Sequence, residues 1–129
     1  MARATLPTST YAGQTGATID TLGDGRTAQT QYLSTPRQIW KDTSGNIYVA
    51  DSSRGRVRMV SSSGILSTFC GGGTGTSDLS VANTAFPFIS PWGVTGDNSG
   101  NVYVTDYSGH FIAQCSMSGI SSRYIGVRN

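Results

Sequence analysis

Apolar residues in this chain fall in short β-prone runs separated by turns rich in Gly, Ser, Asn and Asp. After Pro36 the runs cover 38–41, 47–50, 56–60 and 66–70, and after Pro91 they return at 93–96, 102–105, 111–115 and 121–125. The spacing predicts two sets of four antiparallel strands joined by tight turns. Asp-x-Ser-Gly-Asn at 42–46 and 97–101 suits the first turn of each set. Its aspartate accepts backbone amides ahead of it, while Gly45 and Asn46, or Gly100 and Asn101, tolerate positive φ. Ser-x-Ser-Gly at 61–64 and 116–119 reverses the third strand into the fourth.

The two sets are copies. Positions 36–71 and 91–126 align at a constant offset of 55 residues (91 − 36), with 15 of 36 identical. Eight of the identities sit on Pro, Asp, Gly, Asn and Tyr, types that a repeated backbone geometry demands. A third fourth-strand motif precedes them, since TSTYAG at 8–13 parallels LSTFCG at 66–71 and SSRYIG at 121–126. The expected organisation is therefore an extra fourth-strand segment at 1–13 for terminal pairing, then a first unit at 14–71 and a second at 72–129.

SGNIYVAD, followed by a short loop, RVRMV and SSSGI, resembles the NHL repeat in its long-linker form. GDGRTAQTQYLSTP at 23–36 is similar to that family's inter-blade connector. The resemblance implies an all-β fold of two four-stranded β-propeller blades plus an extra terminal strand. Such a fold is incomplete alone, because a ring takes about four to eight blades. Oligomerisation or a longer chain would complete it. A strand at 4–12 or 121–127 offers an edge for pairing with a neighbour, and head-to-tail contacts close into rings or run on as filaments. The functional expectation is a non-catalytic, self-assembling scaffold or binding module whose first partner is another copy of itself.

Composition fits that expectation. Apolar residues make up 36% of the 129, modest for a self-sufficient core. A net charge of +2 does not mark nucleic acid or an anionic membrane as the partner. No run approaches the roughly 20 apolar residues of a membrane span. The chain has eight arginines, one lysine, no glutamate and no Asn-x-Ser/Thr sequon, and the Ser/Thr/Gly-rich balance favours an extracellular or particle-bound protein. MARATLPTSTY has no apolar stretch suited to a signal peptide.

Candidate chemistry is sparse. His110 is the sole histidine, so no catalytic constellation, metal site or cofactor is expected, and it reads as a solvated loop residue. Cys70 and Cys115 are taken first as two half-buried thiols, with a disulfide between blades or subunits as the alternative. Asp51 and Asp106 end second strands, and Asp51 is placed to meet Arg56 across the hairpin as a pair that fixes the loop. Asp42 and Asp97 are turn residues, since one carboxylate falls short of the six to eight oxygens calcium takes.

Two ligand readings stand beside self-assembly. Trp40, Trp92 and Tyr107 near the starts of the blades would serve a carbohydrate-binding propeller. Arg37, Arg54, Arg56 and Arg58, with Trp40 or Tyr48 for stacking, would serve RNA, although the second copy lacks matching arginines. His110 joins either set as a loop residue. Tyr11, Phe69 and Tyr124 hold equivalent fourth-strand positions and read as packing between blades. The connectors at 14–35 and 72–90 are expected to be irregular surface loops, where a glycan or protein ligand would bind.

Overall fold

The repeated runs form two five-stranded antiparallel sheets. The computed structural model describes residues 9–15, 23–74 and 80–126. In the first sheet β1 (Arg26–Thr27), β2 (Pro36–Lys41), β3 (Ile47–Asp51), β4 (Arg56–Val60) and β5 (Ile65–Gly71) lie in the order β1-β5-β4-β3-β2. In the second, β6 (Val81–Ala82), β7 (Pro91–Gly96), β8 (Asn101–Asp106), β9 (Phe111–Ser116) and β10 (Ile120–Ile125) lie in the order β6-β10-β9-β8-β7. Strands β2–β5 and β7–β10 are the two expected sets of four.

The connectors differ from expectation. Each contributes a fifth, two-residue strand that pairs with the outer edge, Arg26 opposite Leu66 and Ala82 opposite Ile120, followed by one turn of 3₁₀ helix. A covered edge is protected from stray pairing. The second connector then turns inward, burying Phe86 and Phe88. Their rings stand 4.8 Å apart, and Phe86 meets Phe111 edge-on at 5.9 Å. These segments belong partly to the core because both rings pack into the cluster between the two sheets.

The turns show why Asp-x-Ser-Gly-Asn recurs. Asp42 accepts the backbone N–H of Asn46 and, through its other oxygen, the Asn46 side-chain amide, both at 2.8 Å, and the Tyr48 hydroxyl at 3.2 Å. Asp97 does the same with Asn101 at 3.2 and 2.8 Å and Tyr103 at 3.4 Å. Gly45 and Gly100 take the left-handed conformation (φ 88° and 93°). Asn46 and Asn101 do not; they were expected to tolerate positive φ, and their amides are used instead.

Alternation along β3 and β4 sends Tyr48, Ala50 and Val57 toward the second sheet, against Val94, Val102, Val104 and Ala113. Cys70 and Cys115 are joined across this contact by a disulfide, with Cα atoms 6.4 Å apart. The reading that favoured two free thiols is thereby corrected: β5 of one sheet faces β9 of the other, so strands that are not hairpin partners still meet. On its other side the first sheet gathers Ala28, Val60 and Leu66, with Ala12 and Ile47 packed against them. Of the expected terminal strand, residues 4–8 lie outside the described residues. Residues 9–13 form no ladder with either sheet and are held by Gly13 N–H to the Ala28 carbonyl (3.0 Å) and Gln29 Nε2 to the Thr10 carbonyl (2.9 Å).

The turns set the pH response. Burial opposes charge on Asp42, but the Asn46 and Tyr48 bonds outweigh it and hold the carboxyl below its ordinary value. The amide of Asn101 does most to hold Asp97 down. Depressed carboxyls contribute stability above the ordinary carboxylate range of about 4 and lose it as pH falls through their folded values. Burial, then the Asp42 charge, pushes the Tyr48 phenol from 10.0 up to about 12, so stability also falls as pH rises across that interval. Urea midpoints measured against pH should show both limbs. Asn46→Ala should flatten the acid limb, and an unchanged limb would count against this account.

Candidate functional site

The loops at one end of the sheets are pinned by two buried carboxylates. Asp51 accepts the backbone N–H groups of Ser34 (2.9 Å) and Thr35 (3.0 Å). Asp106 accepts those of Ile89 (2.6 Å), Ser90 (3.0 Å) and Gly109 (2.8 Å). Each aspartate therefore ties the end of a connector to the end of its second strand, with charge-assisted bonds. Arg56 stands opposite Asp51 in the ladder, yet the carboxylate turns to the connector, whose amides need an acceptor. The expected Asp51–Arg56 pair is replaced by backbone contacts, and Arg56 Nη1 reaches the Arg54 carbonyl at 3.5 Å.

This pinning places three side chains together. The ladder shifts register between Pro91, opposite Asp106, and Gly93, opposite Thr105, so Trp92 bulges out of it beside Tyr107. Their rings are 5.2 Å apart at 44°, and the Arg37 guanidinium lies 4.0 Å over the Trp92 ring. Trp92 is 43% and Tyr107 68% exposed. Such a platform offers two apolar ring surfaces and a fork of N–H donors to an anionic or hydroxyl-rich group. Ser108 and Ser90 hydroxyls bond each other at 3.0 Å beside it.

The other sequence candidates scatter. Trp40 is half-buried between the sheets, 5.2 Å from Tyr48 and packed on Gly96, so it does not join Trp92. Tyr48 is buried with its hydroxyl on Asp42, out of reach of a base. Arg58 is fully buried and bonds Asp24 at 2.6 Å, which removes it from any surface patch. Arg54 stacks over Tyr32 at 5.0 Å. His110 is exposed and left-handed (φ 55°), at the position of Gly55 (φ 58°). Phe69 packs edge-on against Tyr48 at 5.0 Å, whereas Tyr11 and Tyr124 are more than half exposed, because no further sheet covers theirs. Asp24 and Arg37 were not foreseen as partners. Arg37 alternating with Trp92 at equivalent repeat positions was the one signal available.

Residues 88–115 match the family model of the NHL repeat. The match runs from the buried Phe88 through β7, β8 and most of β9, and it contains Asp106, Trp92 and Tyr107. No curated protein matches the chain. The NHL match and the two antiparallel sheets support a β-propeller-type binding module. Among the described residues no group of three or more His, Cys, Asp or Glu is arranged to hold a metal ion, and no helix is long and apolar enough to cross a membrane.

The Arg58–Asp24 contact carries a stability prediction. Burial lowers the pKa of the guanidinium and the Asp24 charge does most to oppose that, so removing the carboxylate takes the strongest opposing charge from a buried cation. Asp24→Ala should cost about 1–3 kcal/mol in urea unfolding. Arg58→Met, which removes the charge and keeps the bulk, should cost less. A reversed order would show that the pair is not what holds this side of the first sheet.

Proposed function

We propose that the chain is a self-associating propeller sector whose binding activity is the docking of further blades on its two open sheet faces. The observation that carries this is an inequality between equivalent residues. Tyr48, Val57 and Cys70 are buried against the second sheet; Tyr103, Ile112 and Ile125, 55 positions later, have no sheet in front of them among the described residues. Tyr103 and Tyr124 keep the edge-on geometry of Tyr48 and Phe69, at 5.3 Å, and Tyr124 and Ile125 are each 58% exposed. A contiguous apolar face of this kind marks an interaction surface. Successive blades stacked through one repeated contact give a ring or a filament according to whether the rotation closes.

The Arg37–Trp92–Tyr107 platform supports a second reading, a glycan ligand at the loop end. Binding to a glycan array that is lost in Trp92→Ala would establish it, and an array without hits would remove it. The RNA reading keeps less support, since Arg58 is interior and Arg54 is engaged with Tyr32.

Sedimentation equilibrium tests self-association. The mass should rise above 13.5 kDa with concentration, and Ile125→Asp should return it to one chain. The same variant should unfold within about 0.5 kcal/mol of wild type, as expected for an exposed site. A concentration-independent mass of one chain for the wild type would overturn the reading.

A further inference from the structure

The outer face of the first sheet is already half occupied. An apolar cavity of about 260 Å³ lies there, walled by Leu33, Ile39, Val49 and Val60 and closed on one side by Tyr11 and Ala12. Shifted by 55, those four walls are Phe88, Val94, Val104 and Cys115, the buried surface on which the first sheet rests. Tyr11 and Ala12, by the parallel of TSTYAG with LSTFCG, correspond to Phe69 and Cys70. The contacts agree with that correspondence. Ala12 packs with Val60 as Cys70 bonds Cys115, and Gly13 faces Leu33 as Gly71 faces Phe88. Residues 9–13 thus sit where the fourth strand of a preceding blade would sit. The cavity beside them is the space that Tyr48 and Val57 fill in the contact between the two sheets.

A second copy of this chain has the residues to fill it: Tyr103 and Ile112 for the cavity, and Tyr124 and Ile125 for the places of Tyr11 and Ala12. Both fourth-strand segments cannot occupy one place. Residues 9–13 make no ladder, whereas β10 pairs with β9 and β6 along its length. The weaker of the two yields. We propose that residues 9–13 are a removable cover, and that the second sheet of another copy docks on the first sheet by displacing them, setting Ile125 of that copy against Val60. This rests on the self-association reading and adds its register and its restraint. One residue opposes a perfect repetition of the internal contact. A Cβ at Gly55 would lie 2.6 Å from the Phe88 carbonyl oxygen, and in the docked pair the second copy's His110 carries that Cβ toward the carbonyl of the receiving chain's Leu33.

Four variants of the full chain test this by sedimentation and non-reducing gels, with the native disulfide kept. A chain lacking residues 2–13 should associate about tenfold more tightly, because the share of molecules with an open face rises. His110→Gly should also tighten association. Val60→Cys with Ile125→Cys should give disulfide-linked multimers, whereas Val60→Cys with Ala12→Cys should lock the cover and hold the protein as single chains. If the wild type associates but the deletion weakens association and the Val60/Ile125 pair forms no cross-link, self-association stands and this register and cover are wrong. If wild type and every variant remain single chains, self-association fails and this inference with it.

Discussion

The contact between the two sheets is what the remaining structure depends on. Alternation gives each sheet two faces; one face of each is buried against the other sheet, and the outer face of the first is partly covered by its connector and by residues 9–13. Phe86, Phe88 and Phe111 fill the rim of that contact, Tyr48, Val57, Val94 and Val104 its middle, and the Cys70–Cys115 disulfide ties it covalently. The same contact decides the environment of residues far from it in sequence. Phe69 and Tyr124 share a motif and a strand position, yet one is wedged beside Tyr48 at the interface and the other faces outward. Trp40 is withdrawn from the loop end because it lies over Gly96 of the neighbouring sheet, where any side chain would collide with its ring.

The buried aspartates extend this order to the loops. A carboxylate that accepts two or three backbone N–H groups fixes a connector without a cation, so the position opposite it is free to vary. Arg56 occupies that position in the first sheet and Phe111 in the second. Both aspartates pin their loops alike, so the aromatic platform at one repeat and not at the other follows from residue type. Tyr107 N–H bonds the Ser90 carbonyl at 2.9 Å, and Trp92 stands two residues further on. At the first repeat Arg37 and Ser52 take the corresponding places, so Arg37 reaches across to Trp92.

What was legible in the sequence was local. The turn residues, the strand order and the all-β class follow from Asp-x-Ser-Gly-Asn and from β-prone runs, each set within a few residues, and from their return at a constant offset. The connectors were misjudged because 3₁₀ turns and two-residue strands have no hydrophobic period to read, although Phe86 and Phe88 carry much of the rim. The Arg58–Asp24 pair and the disulfide span 34 and 45 residues, and nothing in local spacing selects either partner. The candidate site was half visible. Trp92 and Tyr107 were named as aromatics near a blade start, while the stacking of Arg37 needed the neighbouring sheet.

Differences between the two copies then become informative about surroundings. Position 58/113 is arginine in the first sheet, where the connector brings Asp24 to the outer face, and alanine in the second, where the first sheet covers the same point and a guanidinium would be buried without a carboxylate. Position 55/110 is glycine where the Phe88 carbonyl presses on it and histidine where the site is exposed. At both positions the residue type follows what lies against that face rather than what the strand itself requires. A repeat with identical surroundings on every copy would relax neither restriction. The pattern of divergence therefore follows what covers each face, and the outer faces of both sheets keep apolar side chains that the strand alone does not need.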